Sequence, residues 1–361
     1  MRSHFYYNYI CRSLATVRLY ILPYLEHNNK GGLIMKKQSL TCASFFAGVG
    51  GIDLAFKKAG FETIYANEFN PYSIETYEEN FNIKVDNRDI REVKNEEIPD
   101  FDIMLAGFPC QPFSVAGYRQ GFDDEKGRGN LFFELARIIE DKKPRIIFLE
   151  NVRGLVSHEN GHTLMVILNT LQELGYFVKF KILNTKSFGN LPQNRERIYI
   201  VAFKNENEHK NFEFPKIIKR TKTLHDVIDF TSKLNDRFYY TEENFKYYEL
   251  LKKEIVSDET VYQWRRTYVR ENKSNLCPTL TNNMGTGGHN VPLVLTQHGI
   301  RRLTPRECFN LQGFPKSYKF PKFMSDMNLY GQAGNSVSVT VIERIAKYIA
   351  KSLDETPTNM V

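Results

Sequence analysis

The reactive chemistry of this chain gathers at Gly107-Phe-Pro-Cys-Gln-Pro-Phe-Ser114, where Cys110 follows a proline after the apolar run Phe101 to Ala106. That run reads as a short buried strand. Pro109 fixes its own φ and restricts Phe108, so the backbone presenting Cys110 is stiff. A cysteine thiolate is the most nucleophilic common side chain near neutral pH, and a nearby cation or dipole makes it more available. Taken alone, such a cysteine is more often simply buried at a strand-to-loop turn. Two further stretches carry groups that suit an activated site. Glu150 ends the apolar run Arg145 to Leu149 within Phe148-Leu-Glu-Asn-Val-Arg-Gly154. If the two strands are parallel, its carboxyl shares a sheet edge with Cys110, and partial burial raises its pKa toward proton donation. Otherwise it is an N-cap or surface glutamate. Gln193-Asn-Arg-Glu-Arg197 precedes the strand Ile198 to Phe203. Arg195 and Arg197, at i and i+2, then point to one face of the sheet. Such a pair could hold a carbonyl, a phosphate or the thiolate, or be a solvated charge cluster.

These groups need a sheet to position them. Leu40 to Phe45 reads as the first strand, Phe46-Ala-Gly-Val-Gly-Gly51 as a glycine turn, and Ile52 to Ala59 as a helix. A ligand can approach the backbone of such a turn near the helix N-terminus. The spacing departs from the dinucleotide fingerprint G-x-G-x-x-G, because Asp53 stands at the third glycine position. Glu62 to Ala66 reads as a second strand ending in Asn67-Glu68. An acidic residue about 20 positions after the turn can accept hydrogen bonds from ribose hydroxyls. Asp89 is a further end-of-strand carboxylate that could hold an adenine amino group. Together they favour a nucleoside ligand over a plain strand-to-helix connection.

In this order, and with Arg302-Leu-Thr-Pro-Arg-Glu307, Leu311-Gln-Gly-Phe-Pro315 and Gln332-Ala-Gly-Asn-Ser-Val337 completing the set, these blocks resemble the DNA (cytosine-5) methyltransferases of bacterial or phage restriction-modification type. The resemblance runs from about Leu40 to about Ala350. It implies an α/β fold: a doubly wound, Rossmann-like S-adenosylmethionine-dependent methyltransferase domain with a second, smaller target recognition domain. It implies Cys110 as nucleophile, Glu150 on N3 and the exocyclic amine of the target cytosine, and Arg195 and Arg197 around the base carbonyl and the thiolate. For S-adenosyl-L-methionine it implies Phe46, Gly48 and Gly51 in the cradling turn, Glu68 on the ribose, Asp89 on the adenine, Pro109 nearby and Asn335 near the methionine portion. Asn87-Arg88-Asp89 lacks the glycine often found before that aspartate.

The implied reaction explains the residue types. C5 of cytosine is a poor nucleophile. Thiolate addition at C6 makes it electron-rich, and Glu150 at N3 stabilises the developing charge. C5 then attacks the cofactor methyl, and loss of the C5 proton expels Cys110. A stacked base is out of reach, so it must be flipped out of duplex DNA, at a cost of a few kcal/mol. Gln111 to Arg128, polar and glycine-containing, reads as a loop that closes over the flipped base.

Target recognition is expected in residues 205–296, between a catalytic and cofactor-binding region at 39–204 and a C-terminal return at 297–353. In Tyr262-Gln-Trp-Arg-Arg-Thr-Tyr-Val-Arg270, aromatics interleave with Arg265, Arg266 and Arg270, which could pair with guanines or phosphates. Thr279-Leu280 resembles the Thr-Leu pair of the family's recognition domain, within the Thr-, Asn- and Gly-rich stretch Asn275 to Asn290. Val339 to Leu353 should form a helix that packs beside the first strand and brings Asn335 to the cofactor.

Composition bounds the rest. With 361 residues, 42% hydrophobic, the chain can bury a sizeable core, and its formal charge of +7 suits a polyanionic partner. The five cysteines show no C-x-x-C spacing, so neither a disulfide framework nor a metal site is indicated, and cytoplasmic residence is expected. No membrane partner is indicated. A monomer is expected, paired in function with a restriction endonuclease but not in a stable complex. Residues 1–34 read as a non-native or disordered extension. Lys30-Gly31-Gly32 could be encoded by a ribosome-binding-site-like AAA-GGA-GG, which would place the true start at Met35. An RNA cytosine methyltransferase of the same fold and a catalytically silent DNA-binding relative stay open as alternatives. A nicotinamide oxidoreductase is disfavoured by the glycine spacing.

Overall fold

A computed structural model of the chain describes residues 25–27, 33–35, 39–109, 131–286 and 291–354. Cys110, the loop Gln111 to Arg128, and residues 287–290 of the recognition stretch lie outside them. The chain divides into two compact units, Met1–Leu40 and Thr41–Val361. In the first, β1 (Leu25–His27) and β2 (Leu33–Met35) form an antiparallel pair. Apart from Met35, that pair falls within residues 1–34, the segment expected to be non-native or disordered.

The second unit is built on a six-stranded sheet. Its strands are β3 (Thr41–Phe45), β4 (Glu62–Asn67), β5 (Ile103–Ala106), β6 (Ile146–Val152), β7 (Phe177–Asn184) and, after the two-residue β8 (Gln193–Asn194), β9 (Glu196–Phe203). The order is β4-β3-β5-β6-β9-β7, with β9 antiparallel to both its neighbours and β4-β3-β5-β6 parallel. Parallel strands covered on both faces read as continuous apolar runs, which is why β5 and most of β6 are uniformly buried. Glu150 lies inside β6 rather than at its end, opposite Tyr199 in the ladder.

Helices cover the sheet: α1 (Gly51–Lys58), α2 (Pro71–Glu78), α3 (Leu131–Lys142) and α4 (His162–Glu173). The C-terminal part adds α5 (Pro305–Gln312), α6 (Asp326–Asn335) and α7 (Val339–Asp354). Val339, Ile342, Ala346 and Ile349 recur at helical spacing on α7 and are buried. This helix packs on α1, with Lys58 paired to Glu343. The expected return of the C-terminus is made onto α1, the helix that follows the first strand.

A second sheet has the order β11 (Val269–Glu271), β10 (Tyr262–Trp264), β13 (Leu293–Thr296) and β14 (Gly299–Arg302). Its core holds Leu251, Ile255, Tyr262, Trp264, Leu293 and Ile300. The expected boundary after Thr296 falls in the turn between β13 and β14, so this sheet runs on to Arg302. Between the two sheets, β12 (Cys277–Pro278) pairs in parallel with β8.

Candidate active site

Register places the functional groups on one edge. Phe45 stands beside Asn67 and Ala106, and Ala106 beside Leu149, so the turns after β3, β4 and β5 emerge together with the end of β6. The strand order switches sides here, β4 being added on one side of β3 and β5 on the other, and such a switch point is the place where open α/β sheets bind ligands. Gly107 leaves β5 directly beside Glu150: a Cβ on it would lie 3.8 Å from Glu150 Oε2. Asn151 Nδ2 donates to the Phe108 carbonyl at 2.9 Å, while its Oδ1 accepts from Val152 N at 2.8 Å. The turn carrying Pro109 is thus pinned two residues before Cys110. Sequence reasoning passed over Asn151; the available signal was an amide next to a strand-edge glutamate.

Glu150 is 7% exposed. Arg197 Nε lies 3.1 Å from its Oε1 in a buried ion pair, the charged partner nearest to that oxygen. Burial pushes the Glu150 carboxyl above its ordinary range, against the opposing pull of Arg197 and then Arg195. The site therefore holds a buried carboxyl with raised proton affinity, paired with Arg197. That suits a group that shares a proton with a base ring.

Arg195 behaves otherwise. Its guanidinium, on a residue 2% exposed, donates to Leu280 O at 2.9 Å, to Gly334 O at 3.3 Å and to Ser336 O. The two arginines were expected to flank the base and thiolate together. Arg195 sits in the break between β8 and β9, off the ladder that aligns Arg197 with Val152, and its hydrogen bonds go to backbone, although its charge still acts on Glu150 and Arg197. Burial and Arg197 push its pKa down to about 9.

Beside this edge lies a cavity of about 170 Å³ lined by residues that include Phe46, Glu68, Phe69, Asp89 and Arg91. Phe46 and Gly48 both adopt positive φ, 53° and 55°, which turns the chain back over the strand end. Glu68 fixes that turn, accepting from Gly48 N and from Asn70 N, each at 2.9 Å. Asp89 is held by Arg91, which lowers its pKa. Phe69, 64% exposed at the rim, was not singled out from sequence, although an aromatic directly after a ribose-type carboxylate was the cue. Gly51, expected to admit a ligand, instead admits protein: a Cβ there would lie 2.8 Å from Val337 and 2.9 Å from Ser336. That contact brings the turn after Asn335 against the start of α1. Pro109, Gly48, Gly51 and Asn335 are not among its lining residues.

Of the recognition candidates, Thr279 lies near the site, its Oγ1 donating to Asn194 O at 2.8 Å. Arg265 and Arg266 stand exposed at the tip of the β10–β11 hairpin, Arg266 with φ 68°, and Arg270 is exposed on β11, the edge strand. They belong to the second sheet, apart from the Glu150 edge.

The fold and this edge define an α/β methyltransferase. A family model for C-5 cytosine-specific DNA methylase matches residues 40–351, and the chain belongs to that family. It is 59% identical over 315 residues to the Type II methyltransferase M.Bsp6I of Bacillus sp. (strain RFL6), covering 87% of this chain and 99% of that protein. It is 38% identical over 343 residues to the Type II methyltransferase M.HhaI of Haemophilus parahaemolyticus, covering 90% and 99%. The structure of the S. pombe Dnmt2 methyltransferase shares its fold, with a TM-score of 0.66 at 20% identity over 87% of this chain and 99% of that one. The protein is a DNA (cytosine-5)-methyltransferase that uses S-adenosyl-L-methionine. The RNA-modifying and silent alternatives are not favoured.

Proposed function

We propose that the chain methylates one cytosine within a specific duplex DNA sequence, with Cys110 as nucleophile and Glu150 as the proton-sharing group. The observation that carries this reading is the Glu150–Arg197 pair beside Gly107, with Phe108 pinned by Asn151 two residues before Cys110. The Cys110 thiolate adds to C6 of the flipped base. Glu150 shares a proton at N3 as negative charge develops on the ring, and Arg197 keeps that carboxyl oriented and faces the base carbonyl. Once C5 carries the methyl group, loss of the C5 proton to water restores the ring and releases the thiolate. S-adenosyl-L-methionine, when bound, supplies an electrophilic methyl group.

The cavity fits that cofactor. Phe46 and Phe69 offer aromatic surfaces for a purine, Asp89 an acceptor for its amine, and Glu68 free lone pairs for ribose hydroxyls. Asn335, at the C-terminal end of α6, is assigned to the methionine end by the family resemblance. The region 205–296, continued to Arg302, is the recognition domain. Thr279 and the arginines of the β10–β11 hairpin contact DNA. The enzyme is cytoplasmic and monomeric and protects host DNA from a cognate endonuclease with which it forms no stable complex; of these, the relatives' names as Type II methyltransferases support the protective role alone.

The test uses an expressing host. Bisulfite sequencing should reveal one methylated sequence context. A duplex with that context and 5-fluorocytosine at the target should trap the wild-type enzyme covalently, because fluorine cannot leave C5 as a proton does. Cys110→Ser should neither trap nor turn over, since a hydroxyl is far less ionised than a thiol. Substantial methylation by the serine variant would exclude the covalent route.

A further inference from the structure

Arg195 is spent on backbone. Its planar fork reaches two separate chain segments: Leu280 in the recognition stretch through Nη1, and Gly334 and Ser336 through Nη2. The latter two residues flank Asn335. Among the described residues no carboxylate contacts the guanidinium directly: carbonyl oxygens accept from it, and its Nε has no hydrogen-bond partner. A second contact joins the same two segments without Arg195. A Cβ on Gly334 would fall 2.1 Å from the Thr281 carbonyl group and 2.5 Å from Asn282 N, so α6 meets the recognition stretch backbone to backbone. Thr279 ties the other side, through Asn194 O and the β12–β8 pairing. The recognition stretch and the Asn335 turn are therefore built as one joint, with the fork of Arg195 at its centre.

We propose that Arg195 is a positioning residue that couples the Thr279–Asn282 segment to the Asn335 turn, so that cofactor binding and DNA engagement each tighten the other. The coupling rests on the reading of Asn335 as a cofactor neighbour. Binding at the turn favours one placement of Gly334 and Ser336, and the guanidinium passes that preference to Leu280. Coupling of this kind is reciprocal, and values of about 5- to 150-fold are typical. Lysine supplies the charge but not the fork, so it can serve only one segment well. Methionine leaves the carbonyls without their donor.

The experiment is hydrogen–deuterium exchange on the full chain, with and without S-adenosylhomocysteine, and it needs no DNA. In the wild type, the ligand should slow amide exchange around Gly48 and Glu68 and also in Thr279–Asn282. In Arg195→Met the first protection should persist and the second should fall at least about fivefold, with Arg195→Lys between. A parallel measurement uses the duplex identified by bisulfite sequencing. That duplex should tighten S-adenosylhomocysteine binding at least about fivefold in the wild type, and by less than twofold in Arg195→Met. Protection at Glu68 without protection at Thr279–Asn282 in the wild type would overturn the joint, and this arm stands even if Arg195→Met fails to fold. Retention of both effects in Arg195→Met would overturn it equally, returning the arginine to the base. No protection at Glu68 would instead sink the cofactor reading itself.

Discussion

Glu150 shows how a residue is made reactive by place rather than by type. Burial raises its proton affinity, Arg197 restrains that rise, and Tyr199 closes the far side of the ladder. A neutral amide of the same shape can accept a hydrogen bond but cannot deliver a proton. Glu150→Gln should therefore lower kcat by roughly 10²- to 10⁴-fold, with cofactor affinity little changed. The same pKa shift fixes a stability trend. A carboxyl whose folded pKa lies above its unfolded value, here an ordinary 4.5, contributes stability that is present below that value. The contribution is lost as pH rises through the folded pKa. The stability of wild type minus that of Glu150→Gln should thus fall as pH rises from about 4. Thermal unfolding of both proteins across that range checks it, and a difference that grows with pH would show that Arg197 wins over burial.

At the scale of elements, the blocks that carry the family resemblance divide into those that make the site and those that make the fold. In Arg302-Leu-Thr-Pro-Arg-Glu307, Thr304 caps α5 and Glu307 reaches back to Thr304 N at 2.7 Å, a capping box with Pro305 in the first turn. Glu307 also pairs with the fully buried Arg301. Asp53, conspicuous in the sequence only as a missing glycine, is another such hub. Its carboxylate accepts from Ser44 on β3, Thr63 on β4 and Tyr77 on α2, tying three elements to α1 beneath the cofactor turn. Asp53→Ala should cost roughly 1–3 kcal/mol or more, because buried hydroxyls lose their acceptor. Denaturant unfolding that shows no change in midpoint would refute that role. The strands and the glycine turn were legible from apolar runs and turn residues, since burial on both faces leaves that pattern. The Asp53 hub and the break that redirects Arg195 were not, because each depends on contacts between segments far apart in sequence. Register likewise decides that Glu150 lies within β6, and register is a property of neighbours.

At the scale of the whole molecule, the DNA-facing candidates fall into two groups of different construction. Thr279 and Leu280 are wired to the catalytic sheet through β8 and Arg195. Arg265, Arg266 and Arg270 stand on a hairpin of the second sheet, exposed, on a chain with a formal charge of +7. The hairpin is anchored from below: Trp264 is buried against Phe245 and Tyr247, so the arginines ride on a fixed base rather than a loose loop. Fixed cations can serve either as phosphate clamps or as base readers. An arginine bidentate to guanine should contribute about 1–3 kcal/mol of discrimination against a wrong base, whereas a phosphate contact weakens all sequences alike and lowers the salt slope by about 1. Alanine at one or more of these positions should weaken binding to the methylated sequence context while S-adenosylhomocysteine affinity stays intact. Because the hairpin is separate from the Arg195 joint, these variants should also keep the tightening of cofactor by DNA once the duplex is saturating. Titrations with cognate and single-mismatch duplexes at two salt concentrations distinguish reader from clamp. If all three variants keep wild-type affinity, specificity and salt slope, the hairpin is a structural face and readout belongs to the stretch beginning at Thr279.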